Sequence, residues 1–118
     1  MADADVAALR ARYTTACALE PWGEAAAVAV LLAFEPVASR REFARHVTRG
    51  GVNWVEALAD PAWSDGERFL IATAAALWTG RMVHGADVSR VAFLGDGELA
   101  AWQAMVTARL TGKVPDDA

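Results

Sequence analysis

The run Phe69-Leu70-Ile71-Ala72-Thr73-Ala74-Ala75-Ala76-Leu77-Trp78 carries no charge, and neither does Ala25-Ala26-Ala27-Val28-Ala29-Val30-Leu31-Leu32-Ala33-Phe34. A helix apolar on one stripe lies on a surface, whereas a helix apolar all round has to be enclosed. As a helix, each run spans about 15 Å, half the hydrocarbon core of a bilayer, so protein and not lipid should enclose it. Two such rods in a chain of 118 residues set the fold class. The expectation is an all-α, compact, single-domain bundle of five to seven helices, with central apolar helices over about 21–35 and 65–79.

The bulk composition agrees. A chain of this length buries roughly 65% of the surface its unfolded state exposes, which is enough for one core. The apolar fraction is 55% and charged residues make up 22%, so disorder is excluded. Net charge is −4, which argues against a general polyanion binder. Cys17 is the only cysteine, so no internal disulfide or cysteine cluster can form. The opening MADADVAALRARY is acidic and then amphipathic, unlike a signal peptide, and the expected location is cytoplasmic. Arg is used almost throughout in place of Lys, and with Ala, Gly and Val it suggests a GC-rich bacterial genome.

Local signals divide the chain into helices. Over about 5–19, Val6, Leu9, Tyr13, Ala16 and Cys17 fall on one face. Pro21 suits the first turn of the second helix, and Pro36 stops it. Ser39 with Glu42 reads as a capping box for a helix to about Thr48, ended by Gly50-Gly51. Asn53 caps a brief helix closed by Asp60-Pro61. Ser64 with Glu67 is a second capping box, and Gly80 is the matching left-handed terminator. This helix, with Ala72, Ala75, Ala76 and Thr79 on its small side, is expected to be central. Asp87 caps a short turn to Leu94. Asp96 caps the last helix, which has a stripe of Leu99, Trp102, Val106 and Leu110, with Met105 at its margin and Gln103 and Arg109 facing away. One domain is expected over 1–112, with a frayed tail over 113–118.

Residues suited to chemistry are few. His46 and His84 have no partner at ligand spacing, and HExxH, HxxxH, CxxC, GxSxG and Walker patterns are missing. His46 reads as a surface residue and His84 as a loop residue. Cys17 reads as a small buried hydrophobe. The residues therefore suggest neither an enzyme, a metal site nor a cofactor. Arg41, Arg45 and Arg49 repeat at i, i+4 and i+8 and would share a helical face flanked by His46, able to grip an acidic partner or phosphates. Trp54 and Trp63 stand at loop–helix junctions, where an exposed indole makes a binding anchor.

Trp63-Ser64-Asp65-Gly66-Glu67-Arg68-Phe69-Leu70, followed by Ala74, Ala75, Leu77 and Gly80, is similar to a W-S-x-G-E-R-x-L segment in small uncharacterised helical proteins of high-GC bacteria. The likeness runs over roughly the C-terminal half, including the corner near Leu94 to Asp96. It implies a helical fold and brings no activity, ligand or site.

The function expected from these features is a non-catalytic protein-interaction or assembly module. It would be a homo-oligomer or an accessory subunit of a bacterial or phage-encoded complex, docking through Arg41, Arg45, Arg49, His46, Trp54 and Trp63. One alternative is a small nucleic-acid-binding regulator using the arginine face, which lacks the Asn or Gln that reads bases. Another is a small-molecule binder with an apolar pocket lined by Phe34, Trp78 and Trp102. No membrane partner is expected.

Overall fold

Asp3 starts α1 (Ala4–Leu19) by accepting the Asp5 N–H at 2.8 Å, and Val6, Leu9, Tyr13 and Cys17 form its buried face. The computed structural model describes residues 3–115. α2 (Gly23–Ala33) buries Ala25 to Ala29, Leu31 and Leu32, and it packs against α1, α6 (Asp65–Thr79) and α7 (Asp96–Thr111). Its side chains are small and uncharged beyond Glu24, so three helices can approach it at once. α6 buries Phe69 to Ala75 against the same core. Both apolar runs therefore pack into the helical core, with Ala76 to Trp78 only partly buried, and α2, not α6, is the hub. The radius of gyration is 12.8 Å, matching the roughly 13 Å of one compact domain near this length. Among the described residues no helix is long and apolar enough to cross a membrane.

Glycine sets the closest approach. A Cβ on Gly23 would fall on the carbonyl oxygen of Arg109, so only glycine lets the start of α2 lie against α7. At the far end of that contact the Trp22 N–H donates to the Gly112 carbonyl at 3.0 Å.

The caps at 53 and 64 form as expected. Asn53 Oδ1 accepts the Glu56 N–H at the start of α5 (Trp54–Ala59). Ser64 Oγ accepts the Glu67 N–H at 3.2 Å, while Glu67 Oε1 accepts the Ser64 N–H at 2.8 Å. Gly80 closes α6 with φ 69°. A 3-10 segment, Val88–Phe93, follows its Asp87 cap. At α7 the cap shifts by one residue: Gly95 is the N-cap, and Glu98 accepts its N–H.

Three expectations are corrected. First, no helix runs over 39–48. Ser39 Oγ donates back to the Glu35 carbonyl at 2.5 Å, closing α3 (Glu35–Ala38) instead of opening the next helix. α4 is only Arg41–Ala44, after which Val47–Thr48 (β1) and Gly51–Val52 (β2) pair antiparallel around the Arg49-Gly50 turn. Val47 is buried and the Asn53 N–H donates to the His46 carbonyl, so the hairpin satisfies backbone that a continued helix would have carried outward. Second, α7 is rotated. Met105 and Ala108 are its buried residues, Leu110 is 81% exposed, and Arg109 turns inward, donating from Nε to the Leu77 carbonyl and pairing with Glu24. Close contact with α2 selects Met105 and Ala108 over the bulkier stripe. Third, the two four-residue helices and the 3-10 segment bring the helical segments to eight among the described residues, against the five to seven expected. Of the expected tail, Val114 packs on the core, and 116–118 lie outside the described residues.

Candidate functional site

The arginine row does not assemble. Arg41 lies on α4, Arg45 is its C-cap and Arg49 sits in the hairpin turn, so the three share no helical face. Arg45 pairs with Asp60 at 3.4 Å and Arg49 with Asp5 at 3.3 Å, while Arg41 is exposed. His46 is not a surface residue. Its ring is mostly buried, Nε2 lies 2.9 Å from Asp60 Oδ2, and buried Nδ1 has no hydrogen-bond partner. Asp60 Oδ1 accepts the Ala62 N–H, so one carboxylate ties α4 to the corner before α6. His84 is exposed in its loop, as expected.

Within the Trp63–Arg68 stretch Ser64 caps α6 locally, while Trp63, Glu67 and Arg68 join that helix to neighbouring segments. Trp63 is buried, donates from Nε1 to the Ala57 carbonyl at 2.7 Å and packs edge-on against Phe43. Arg68 donates to the carbonyls of Leu58 and Asp60. Arg40 lies over the Trp63 ring and pairs with Glu67 at 2.7 Å. Trp54 is half-buried against the core. Trp78 packs ring to ring with Tyr13 and Trp22, both under 6 Å between centroids, so side chains and not a cavity cover its faces. Phe34 and Trp102 are half-buried against the core. Cys17 is buried, and that burial raises its thiol pKa.

Among the described residues three carboxyl pKa values are lowered. For Asp60 the leading cause is the His46 hydrogen bond, followed by the Ala62 N–H. For Glu67, burial pushes upward, but the Ser64 N–H and the Arg40 guanidinium outweigh it. For Asp87 the Ser89 N–H leads. A carboxyl lowered in the fold stabilises it above the unfolded value and loses that contribution as pH falls through the folded one. Urea midpoints should therefore hold steady down to about pH 4 and fall below it. Asp60→Asn should start lower and fall less steeply. An acid slope identical to that of the unmodified chain would remove the Asp60 pairs from this account.

The most distinctive surface is one that the sequence patterns did not single out. Between Gly80 and Gly95 the chain crosses the outer side of α6, and none of the residues of the 3-10 segment is buried. Met82 is fully exposed, Phe93 is 88% exposed and Val88 is 66% exposed. Beside Met82 and Val88 lies a mainly apolar cleft of about 830 Å³ walled by Ala76, Val83 and Ala86, with His84 and Asp87 at its polar edge. It shares Val83, His84 and Gly85 with a second cleft over Phe69 and Arg90, which in turn shares Asp65, Phe69 and Arg90 with a third beside Phe93 and Leu94. Three adjoining clefts thus form a belt from Ala76 to Leu94, in which apolar side chains are interspersed with Asp65, Arg68, His84 and Arg90. Its one sequence signal was the apolar residues of 82–94 in a segment too short and glycine-broken to bury them.

Among the described residues no three His, Cys, Asp or Glu side chains converge to hold a metal ion. The chain matches no family model, no curated protein and no solved structure.

Proposed function

We propose that this chain is a non-catalytic protein-interaction module, an oligomer or accessory subunit of a bacterial or phage-encoded complex, that engages its partner through the Ala76–Leu94 belt. The observation that carries this reading is a capped element, Val88–Phe93, that holds Val88 and Phe93 and buries no residue in its own fold. Large apolar side chains left exposed together on one short segment favour a protein partner. The readings that rest on an arginine face have less support, because the guanidinium groups of Arg45 and Arg49 are engaged with Asp60 and Asp5.

The test is site-specific photo-crosslinking in cells that encode the protein. A photoreactive residue at Val88 or Phe93 should give discrete crosslinked protein bands, and one at exposed Gln103 should not. Absence of bands at both belt positions, or equal bands at Gln103, would overturn the reading.

A further inference from the structure

The segment between α6 and α7 covers a helix face that the interior leaves out. At about 3.6 residues per turn, Phe69, Ala72 and Ala76 lie on the side of α6 opposite Leu70 and Ala74. Leu70, Ile71 and Ala74 join the interior cluster built with α1 and α2, whereas Phe69 and Ala72 do not. Yet Phe69 is only 2% exposed and Ala72 0%. The chain between Gly80 and Gly95 provides much of that cover. Gly85 lies over Ala72, where a Cβ would stand 3.6 Å from the alanine Cβ. Val83, Arg90, Phe93 and Leu94 border the clefts at Phe69, together with Leu58 and Ala59 of α5.

This cover is held to the helix by apolar contact alone. Among the described residues, every hydrogen bond made by residues 82–94 stays inside the segment. The Ala86 N–H donates to the Val83 carbonyl, the Ser89 N–H to Asp87 Oδ1, the Arg90 N–H to the Asp87 carbonyl and the Leu94 N–H to the Val91 carbonyl. The Arg90 charge acts on Asp87 within the same segment, and no ion pair crosses from it to the bundle. The ends are self-contained as well. α6 closes on the Gly80 N–H bonded to the Ala76 carbonyl, and α7 opens on the Gly95 N–H bonded to Glu98. A Cβ at Gly80 would meet nothing within 4 Å, and one at Gly95 only the Glu98 carboxylate at 3.8 Å, so both ends stand in open space. The seal itself is incomplete, leaving the cleft of about 830 Å³ beside Ala76.

We infer that residues 81–94 form a strap that lifts from α6 as a unit while the helical bundle stays folded, uncovering Phe69, Ala72 and Ala76. Segments with few buried contacts and only local hydrogen bonds open well below the free energy of global unfolding. The 3-10 element and its Asp87 cap survive the movement, because their bonding partners travel with them. Gly80 and Gly95 take up the rotation, as small residues at element ends do in hinges. The inference concerns the motion of the strap and stands whichever molecule meets the belt.

Thiol labelling of Ala72→Cys with an aromatic disulfide reagent tests this, because the native Cys17 reports on the interior of the same molecule. In buffer the new thiol should react about a hundred-fold faster than Cys17 or more, the gap expected between a local and a global opening. Its rate should change little with urea below the unfolding transition, whereas that of Cys17 should climb steeply, since lifting the strap exposes far less surface than unfolding does. Limited trypsin digestion of the unmodified chain is a second readout that no substitution disturbs. Cleavage at Arg81 and Arg90 should proceed while circular dichroism still reports native helix, with the same shallow urea dependence.

The two thiols reacting at one rate with one urea slope would overturn the strap. So would cleavage at Arg81 and Arg90 that rises with urea as steeply as global unfolding. If circular dichroism shows Ala72→Cys unfolded, the trypsin slope alone decides.

Discussion

Trp63→Ala is expected to cost about 4 kcal/mol of folding stability, enough to leave a marginal domain of this size largely unfolded at moderate urea. The indole is buried, edge-on to Phe43 at 6.2 Å between centroids, and it lies beneath the Arg40 guanidinium at 5.0 Å. Removing it leaves a cavity at the meeting point of α4, α5 and α6. It also strips the Ala57 carbonyl of the Nε1–H donor at 2.7 Å, although the Asp60 N–H still approaches that oxygen at 3.3 Å. Trp63→Phe keeps most of the volume and loses the hydrogen bond, so it should cost about 1–2 kcal/mol. Equilibrium urea unfolding followed by circular dichroism measures both. The pair of variants also separates two roles for this residue. An indole held ready for a partner would lose binding and leave the unfolding midpoint in place; a joint between helices moves the midpoint first. A midpoint unchanged by Trp63→Ala would refute the structural role.

Gly112→Ala is expected to cost about 3 kcal/mol, lowering Tm by roughly 10–15 °C for a chain of this length. Two effects add. Gly112 closes α7 with φ 72° and ψ 14°, where an L side chain is strained by about 1–2 kcal/mol. In addition, a Cβ there would lie 2.7 Å from Pro21 Cβ and 2.9 Å from the Trp22 nitrogen, inside the hydrogen bond that clasps α7 to the start of α2. Neither neighbour is the free end of a flexible side chain, so relief requires the backbone to move. Gly80→Ala isolates the first effect. Gly80 has nearly the same φ, 69°, and a Cβ there would meet nothing within 4 Å, so only the conformational strain should appear. Equal losses at the two glycines would show that the close contact of α2 with α7 contributes nothing.

The same glycines show how far the sequence could be read. Gly80 and Gly112 stand where helix periodicity ends, and both adopt the left-handed conformation that this position implies. What made Gly112 costly to replace was Pro21, far away in the chain, and no local pattern shows that contact. The candidate site followed the same rule. Trp63 stood out because a tryptophan beside a cap is conspicuous, but whether it faced solvent or Ala57 depended on where α5 came to rest. The Met82–Phe93 surface had the opposite history. Its residues formed no periodic pattern, and they became notable only when the fold left them uncovered.

The helices themselves were written locally. Ser64 and Glu67 exchange hydrogen bonds three residues apart, Asn53 reaches Glu56, and the uncharged runs at 25–34 and 69–78 had to be enclosed wherever they lay. Capping and periodicity act within one or two turns, so the order of residues is enough to specify them. Three features were decided only by packing: the choice of α2 as hub, the breaking of 39–48 into a turn and hairpin, and the rotation of α7 toward Met105 and Ala108. Each depends on contacts between residues distant in sequence, such as Arg49 with Asp5, His46 with Asp60, and Gly23 with Arg109. Those energies exist only once the chain has folded back on itself, and they outweigh the fraction of a kcal/mol by which local preference favoured a longer helix.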